Sequence, residues 1–480
     1  RREQRLVGED RNAMRTAVLA ILLLIGAGRQ LVSAQSRNNW WSLDWLDNRW
    51  LDFGAELPPA VVPFFPASDL TGFQGTIADT SGALVLYAQS SGVRNGAGQL
   101  LPGPPPTWST NLGCMGSVFI TAHGTTRYGM FLTAQATGAP VGGGFAEVDM
   151  DLNNGAGGVL GTGGRLLVDS VLTSVSAAPH GNGSDYWGIF HGRGTNAWYA
   201  YRFGTNGLDT VPVVSWAGAT AGQAAVWSSQ IKCSPANDRI AIHAQTSDTL
   251  SVLAFDADLG TVSDLVDLVL PACYGGLEFS PSGRFLYALA DRPDSTVLLQ
   301  WDLWLVPGLI PASQRTVFAA PTSPNYCSGL LLAPDGRIYI PQDQTSFLTR
   351  IEAPDQPGLQ CNVQVNAVDI APGELTPFLN NHCKWYHDDP IALGSAELAA
   401  RPELTVWPNP TAYTANVHLP EHGSPWTVQV IDGLGRVVHA SPARQGGQVI
   451  IPTAGWPPGT YVVRAQGSRG ILFARLVVHR

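Results

Sequence analysis

Gly276-Leu-Glu-Phe-Ser-Pro-Ser-Gly-Arg-Phe-Leu-Tyr-Ala-Leu289 reads as a strand, a tight turn and a second strand. Pro281 presets φ at the second position of the turn, and Gly283 takes the bend two residues later. The pattern returns in Gly329-Leu-Leu-Leu-Ala-Pro-Asp-Gly-Arg-Ile-Tyr-Ile340, and more weakly in Ile231-Lys-Cys-Ser-Pro-Ala-Asn-Asp-Arg-Ile-Ala-Ile242. In each, an arginine follows the turn and an apolar run resumes.

Looser copies are Thr76-Ile-Ala-Asp-Thr-Ser-Gly-Ala-Leu-Val-Leu-Tyr87, Ser117-Val-Phe-Ile-Thr-Ala-His-Gly-Thr-Thr-Arg-Tyr128 and Val175-Ser-Ala-Ala-Pro-His-Gly-Asn-Gly-Ser-Asp-Tyr-Trp187. The turn positions are 82, 124, 183, 237, 283 and 336, a period of about 42–59 residues. A four-stranded unit repeated at that spacing is a propeller blade. Outer strands follow the hairpins at Phe145-Ala-Glu-Val-Asp149, Trp198-Tyr-Ala-Tyr-Arg-Phe203, Leu250-Ser-Val-Leu-Ala-Phe255 and Val297-Leu-Leu-Gln-Trp301. Six copies are visible. Trp50-Leu-Asp-Phe53 and the segment after Cys361 are expected to combine into a seventh, because a blade built from both chain ends leaves the ring no open edge. The reading is an all-β chain with a β-propeller of six or seven blades, seven favoured, over about 38–393. A pair of β-sandwiches is the alternative.

Composition agrees. The chain has 480 residues, enough for two domains with sizeable cores. Charged residues make up 14%, against about 25% in an average soluble protein. Gly 53, Pro 35 and Trp 15 describe a turn-rich extracellular β protein. The net charge of −9 argues against a nucleic-acid partner, which needs concentrated positive charge. Lysine occurs only as Lys232 and Lys384. The six cysteines lack a C-x-x-C spacing, so zinc and redox motifs are not expected. Cys361 and Cys383 are closest in sequence and are the expected disulfide.

The N-terminus has an export signature. Met14-Arg15 gives a positive start, 16–28 is apolar, and Val32-Ser-Ala34 places small residues before Gln35. This predicts a signal peptide over 14–34, cleaved between Ala34 and Gln35. Residues 1–13 are expected to be upstream read-through. The apolar run is too short for a membrane span, and no comparable run follows, so no transmembrane span is expected in the mature chain.

The C-terminal stretch 404–480 has its own pattern. Pro408-Asn409-Pro410 stops a first strand, because proline donates no ladder hydrogen bond. A hairpin runs through Asp432-Gly-Leu-Gly435-Arg436, Gly459 precedes Tyr461, and 471–478 forms a last strand carrying Arg475. Six or seven short strands suggest a small immunoglobulin-like β-sandwich. A short Ala-rich linker, 394–403, separates it from the propeller and is where processing is expected.

These tail residues resemble the C-terminal sorting domain of the type IX (Por) secretion system of Bacteroidota. The family pattern falls on Pro408, Asn409, Pro410, Asp432, Gly435, Arg436, Gly459, Tyr461 and Arg475. An ordinary immunoglobulin-like module is the competing reading. The resemblance implies export across the outer membrane, with the secretion machinery and a sorting protease as partners. It further implies removal of the tail and often attachment to surface lipopolysaccharide, hence a secreted or cell-surface protein. The whole order of segments resembles secreted Bacteroidota proteins with a WD40-like or YVTN-like propeller before that domain. The matching stretches are 79–87, 147–155, 183–191, 277–283 and 333–339. This second resemblance implies no defined activity.

Catalytic motifs are not apparent: there is no Gly-x-Ser-x-Gly and no His-Glu-x-x-His. Asp149-x-Asp151-x-Asn153 begins like a calcium loop, but Asn154 and Leu160 stand where glycine and glutamate are needed. A strand-end turn is the better reading. His382-Cys383 with His387-Asp388-Asp389 has metal-ligand types without a second cluster. His180, Asp185, His191 and Arg193 crowd one blade and are read mainly as turn anchors. No catalytic residue, metal or cofactor is therefore assigned. Trp40, Trp41, Trp45, Trp50, Trp187 and Trp198 suit sugar stacking or packing between blades, with packing preferred. The expected function is a binding or scaffold module for an unknown glycan, peptide or protein. The alternative is a hydrolase or lactonase-like enzyme with a metal in the central channel.

Overall fold

All six turn positions of the repeat carry positive φ: Gly82 (88°), Gly124 (70°), Gly183 (77°), Asn237 (55°), Gly283 (70°) and Gly336 (77°). The Gly283 N–H donates to the Ser280 carbonyl at 2.8 Å, that of Gly336 to Ala333 at 2.9 Å and that of Asn237 to Ser234 at 3.0 Å. Each is a turn closed by a left-handed residue, a geometry that matches the twist of the flanking strands. Asparagine at 237 is the non-glycine type that best tolerates this region.

The computed structural model describes residues 36–383 and 404–479 apart from short stretches. These are 43–48, 55–58, 64–74, 90–91, 104–115, 136–140, 162–163, 222–228, 244–247, 271–275, 293, 322–328, 343–344, 373–374, 376–380, 420–425, 432–436, 445–446 and 468–469. The chain divides into two compact units, 1–392 and 393–480.

The first unit is a seven-bladed β-propeller. Blade one pairs Trp40–Ser42, Arg49–Asp52 and Ala60–Pro63. Blade two pairs Thr76–Ala78, Leu84–Gln89 and Gly92–Asn95. Blades three and four begin at the inner strands Ser117–Thr121 and Val171–Pro179, and each is a five-stranded sheet. Blades five, six and seven are four-stranded meanders over 230–269, 277–321 and 331–369, starting with Gln230–Cys233, Leu277–Phe279 and Leu331–Leu332.

The ring closes differently from expectation. All described strands of blade one come from the N-terminal side. The segment after Cys361 instead forms Val363–Asp369, the outer strand of blade seven. The connection over 352–362, which contains the 3-10 turn Gly358–Cys361, returns the chain antiparallel to Phe347–Ile351, so its partner is its own blade.

Apolar cores lie between neighbouring blades. Trp41, Leu51 and Phe53 of blade one pack with Leu331, Tyr339 and Leu348 of blade seven. Trp41 meets Phe53 at 4.6 Å and Tyr339 at 5.7 Å, while Trp50 meets Tyr87 of blade two at 5.4 Å. Trp187 and Trp198 are buried in the core between blades four and five. The tryptophans weighed for sugar stacking are thus packing residues at positions 41, 50, 187 and 198. Trp40 is half-buried, and Trp45 lies outside the described residues.

The second unit is a β-sandwich. One sheet orders Thr405–Trp407, Thr414–Leu419 and Gly447–Pro452. The other orders Val437–Arg444, Trp426–Ile431, Gly459–Gly467 and Gly470–Val478. Alternate residues of both, such as Val417, Val428, Val430, Ile451 and Val463, form the core between the sheets.

Candidate functional site

At the propeller axis the innermost strands have edges but no neighbouring strand, so their backbone donors need side-chain acceptors. Ser174 Oγ of blade four accepts from Ile231 N–H of blade five at 3.1 Å. Gln230 Oε1 of blade five accepts from Leu277 N–H of blade six at 3.1 Å. Glu278 Oε2 of blade six accepts from Leu332 N–H of blade seven at 3.1 Å. Ser117 Oγ of blade three accepts from Gly75 N–H at 2.8 Å, and Thr76 Oγ1 donates to the Trp40 carbonyl at 2.6 Å.

Lys232 joins this belt: its Nζ lies 3.3 Å from Glu278 Oε2, with the two side chains 2% and 0% exposed. Glu278 also accepts from Phe279 N–H at 2.9 Å. A buried carboxylate so satisfied ties three consecutive blades together. Sequence reading missed these residues. Their only signal is a polar residue inside an otherwise apolar inner strand.

A second polar set explains the repeat's arginine. Arg284 pairs with Asp302 at 2.7 Å. Arg337 pairs with Glu352 at 2.7 Å and with Asp335 at 3.2 Å. Burial raises the Glu352 pKa, but hydrogen bonds from Arg350 and Arg337 outweigh it and hold the group below its usual value. These carboxylates lock hairpins and turns.

The crowd of His180, Asp185, His191 and Arg193 does not converge. His180 sits in the first turn of blade four, stacked on Trp187 at 4.9 Å, with its Nδ1 accepting from Asn182 N–H at 3.0 Å. Burial lowers its pKa. His191 lies at the far end of Tyr186–Gly192, about 20 Å away at strand rise. It is buried against Trp198 at 4.5 Å, with Nδ1 2.9 Å from the Gly192 carbonyl. Burial pushes its pKa down to about 4.

The calcium-like stretch is a strand-end turn. Asp149 Oδ1 accepts from Asp151 N–H at 3.0 Å and from Thr126 Oγ1 at 3.1 Å, while Asn153 and Asn154 take left-handed φ. His387, Asp388 and Asp389 lie outside the described residues. Among the described residues, no three His, Cys, Asp or Glu side chains gather as a metal-holding group.

The expected Cys361–Cys383 disulfide is not formed. Cys361 is an unbridged thiol in the core between blades six and seven, and burial raises its pKa. Cys383 is buried with Phe119 and Val175 in the core of blades two to four. Nearness in sequence misled here, because the intervening chain runs from the outer strand of blade seven to the axis.

In the sandwich, the Pro408-Asn409-Pro410 corner clasps the last strand. Asn409 Oδ1 accepts from Val477 N–H at 2.8 Å, and Thr411 N–H donates to the Val477 carbonyl at 2.9 Å. Gly459 opens the neighbouring strand opposite Val478, and Arg475 stands opposite Val462. Tyr461 is buried and donates to the Pro457 carbonyl at 2.7 Å. Asp432, Gly435 and Arg436 lie outside the described residues, as do Ala34, Gln35 and the linker 394–403.

Residues 405–479 match the family described as secretion system C-terminal sorting domain. The tail is a sorting domain of the type IX secretion system. A chain carrying this sorting domain is exported by that machinery, to the cell surface or the medium. No helix among the described residues is long and apolar enough to cross a membrane. No curated protein matches the sequence. Solved structures similar to the chain include a protein from Lactobacillus plantarum (13% identity, 79% of this chain, 99% of that chain, TM-score 0.39). A periplasmic gluconolactonase from Pseudomonas aeruginosa is 14% identical over 73% of this chain and 96% of its own (TM-score 0.31). TolB from Acinetobacter baumannii is 9% identical over 69% and 77% (TM-score 0.33). Similarity at this level carries no inference about activity.

Proposed function

We propose that the propeller is a binding module that works outside the cell and engages a peptide, protein or glycan through its outer surface. The observation that supports this is the division of its side chains. Ser117, Ser174, Gln230 and Glu278 at the axis are engaged in joining blades. Large apolar groups are exposed on a blade-six loop, with Trp304 48%, Val306 58% and Leu309 56% exposed. Exposed apolar side chains grouped on one loop are the kind of surface that contacts a partner or ligand. Glycan and peptide arrays probed with the exported chain test the reading. Ligands retained by the parent and lost by Trp304→Ala are expected. Array binding that the substitution leaves unchanged overturns the outer-surface assignment.

In the same reading, the sorting domain is removed within 394–403 after export, by a sorting protease, and the propeller is retained through surface lipopolysaccharide. Mass spectrometry of surface material is expected to give a mature chain from Gln35 that ends before Leu404. A chain that keeps 404–480 at the surface would falsify the processing step.

A further inference from the structure

We propose that residues 381–383 form an axial strap that closes the propeller channel and latches the two ends of the ring. The inference rests on the fold and is independent of the binding reading.

Asn381 makes a parallel bridge to Gly75, at the entry to the inner strand of blade two. Its Nδ2 donates to the Val175 carbonyl, on the inner strand of blade four, at 2.6 Å. Blades two and four are not neighbours; the inner strand of blade three, Ser117–Thr121, stands between them. A residue bonded to both backbones therefore passes in front of blade three, on the axial side. The next two residues extend the crossing. His382 stacks on Trp41 of blade one with ring centroids 6.3 Å apart. The Cys383 carbonyl accepts from Asn38 Nδ2 at 3.0 Å, joining positions 345 residues apart in sequence.

The N-terminal side is as tightly held. Arg37 donates to the Ala78 carbonyl at 3.0 Å, Ser36 Oγ to that of Thr80 at 3.1 Å, and Trp41 Nε1 to that of Asn38 at 3.0 Å. Asn38, Asn381, His382 and Cys383 are 4%, 2%, 4% and 0% exposed. Polar groups buried this deeply need their hydrogen bonds. The strap thus takes the role that a strand shared by both chain ends has in the sequence-based expectation. Its release opens the channel without dismantling a blade.

Thiol alkylation with mass-spectrometric readout tests this on the full chain. Cys383 lies on the strap, while Cys361, also 0% exposed, reports the blade core. In the folded parent both thiols are expected to react slowly. Asn381→Ala is expected to speed alkylation of Cys383 by about tenfold while leaving Cys361 unchanged, because a lost buried hydrogen bond shifts a local opening equilibrium by that order. Asn38→Ala, which removes the latch from the other end, is expected to act in the same direction. Fast alkylation of Cys383 in the parent, or a rise shared equally by Cys361, overturns the strap. Hydrogen exchange on the unsubstituted chain decides independently of any variant: slow exchange at 381–383 supports the strap, and exchange at the rate of an open peptide overturns it.

Discussion

The propeller buries polar side chains between and in front of its blades, whereas the interior of the sorting sandwich is almost wholly apolar. Lys232, Glu278, Gln230, Ser174 and Asn381 are all within the ring. In the sandwich, the buried polar residues among those described are Thr411 and Thr453. Seven inner strands crowd one axis, and their edge donors must be answered by neighbours. Two stacked sheets face each other with side chains only, and backbone bonds stay within each sheet. The propeller is therefore sensitive at buried polar positions, and the sandwich at its exposed corner.

The largest effect is expected from removing the sandwich altogether. Deleting 404–480 leaves the propeller in the periplasm, measured by fractionation and protease accessibility of intact cells. Normal surface delivery of the truncated chain would break the division of labour. Within the propeller, Glu278→Ala removes the carboxylate that faces the buried Lys232 ammonium and accepts from the Leu332 N–H. A loss of about 3–5 kcal/mol is expected in denaturant unfolding. The exposed Arg202–Asp209 pair, cut as Asp209→Ala, is expected to cost less than about 1 kcal/mol. Equal losses from the two would show that burial does not set the scale.

His191 supplies a pH test. Its folded pKa of about 4 is lower than the ordinary 6.5, so the unfolded chain binds its proton first as the pH falls. Stability from this group is full above pH 6.5 and declines towards pH 4, by on the order of 3 kcal/mol. His191→Phe is expected to flatten that segment of the stability–pH profile; an unchanged slope would assign it elsewhere. An effect well below that of Glu278→Ala is expected at the corner. Asn409→Ala removes the acceptor of Val477 N–H and is expected to lower the stability of the sandwich by about 1 kcal/mol. Protease resistance of the tail in the full chain measures it.

The hairpins were legible because turn chemistry is local. Pro281 with Gly283, Pro334 with Gly336 and Pro235 with Asn237 fix their bends within four residues. Their spacing showed six blades; the seventh was expected from both chain ends, whereas Trp40–Ser42, Arg49–Asp52 and Ala60–Pro63 make it and the segment after Cys361 does not. The corner at Pro408-Asn409-Pro410 was readable for the same local reason as the hairpins. The sequence of blade one offers no such turn signal, so Trp50-Leu-Asp-Phe53 was visible as a strand but its companions were not. The axial belt was missed because Ser174 or Gln230 has no local peculiarity; each matters through a backbone donor more than 40 residues away. The Cys361–Cys383 expectation failed by the opposite error, taking nearness along the chain for nearness in space.

The strap also determines how the molecule carries tension. The last described residues of the propeller before its C-terminal connection are 381–383, so among the described residues a pull from that side reaches the axis before any outer strand. There it loads the Asn381 and Cys383 hydrogen bonds together. A chain held by its C-terminal end while its ligand drags on a blade would yield first at the strap, with all seven sheets still intact. The ring can then act as a mechanical fuse, whose first extension step is the few residues of the strap and not a whole blade.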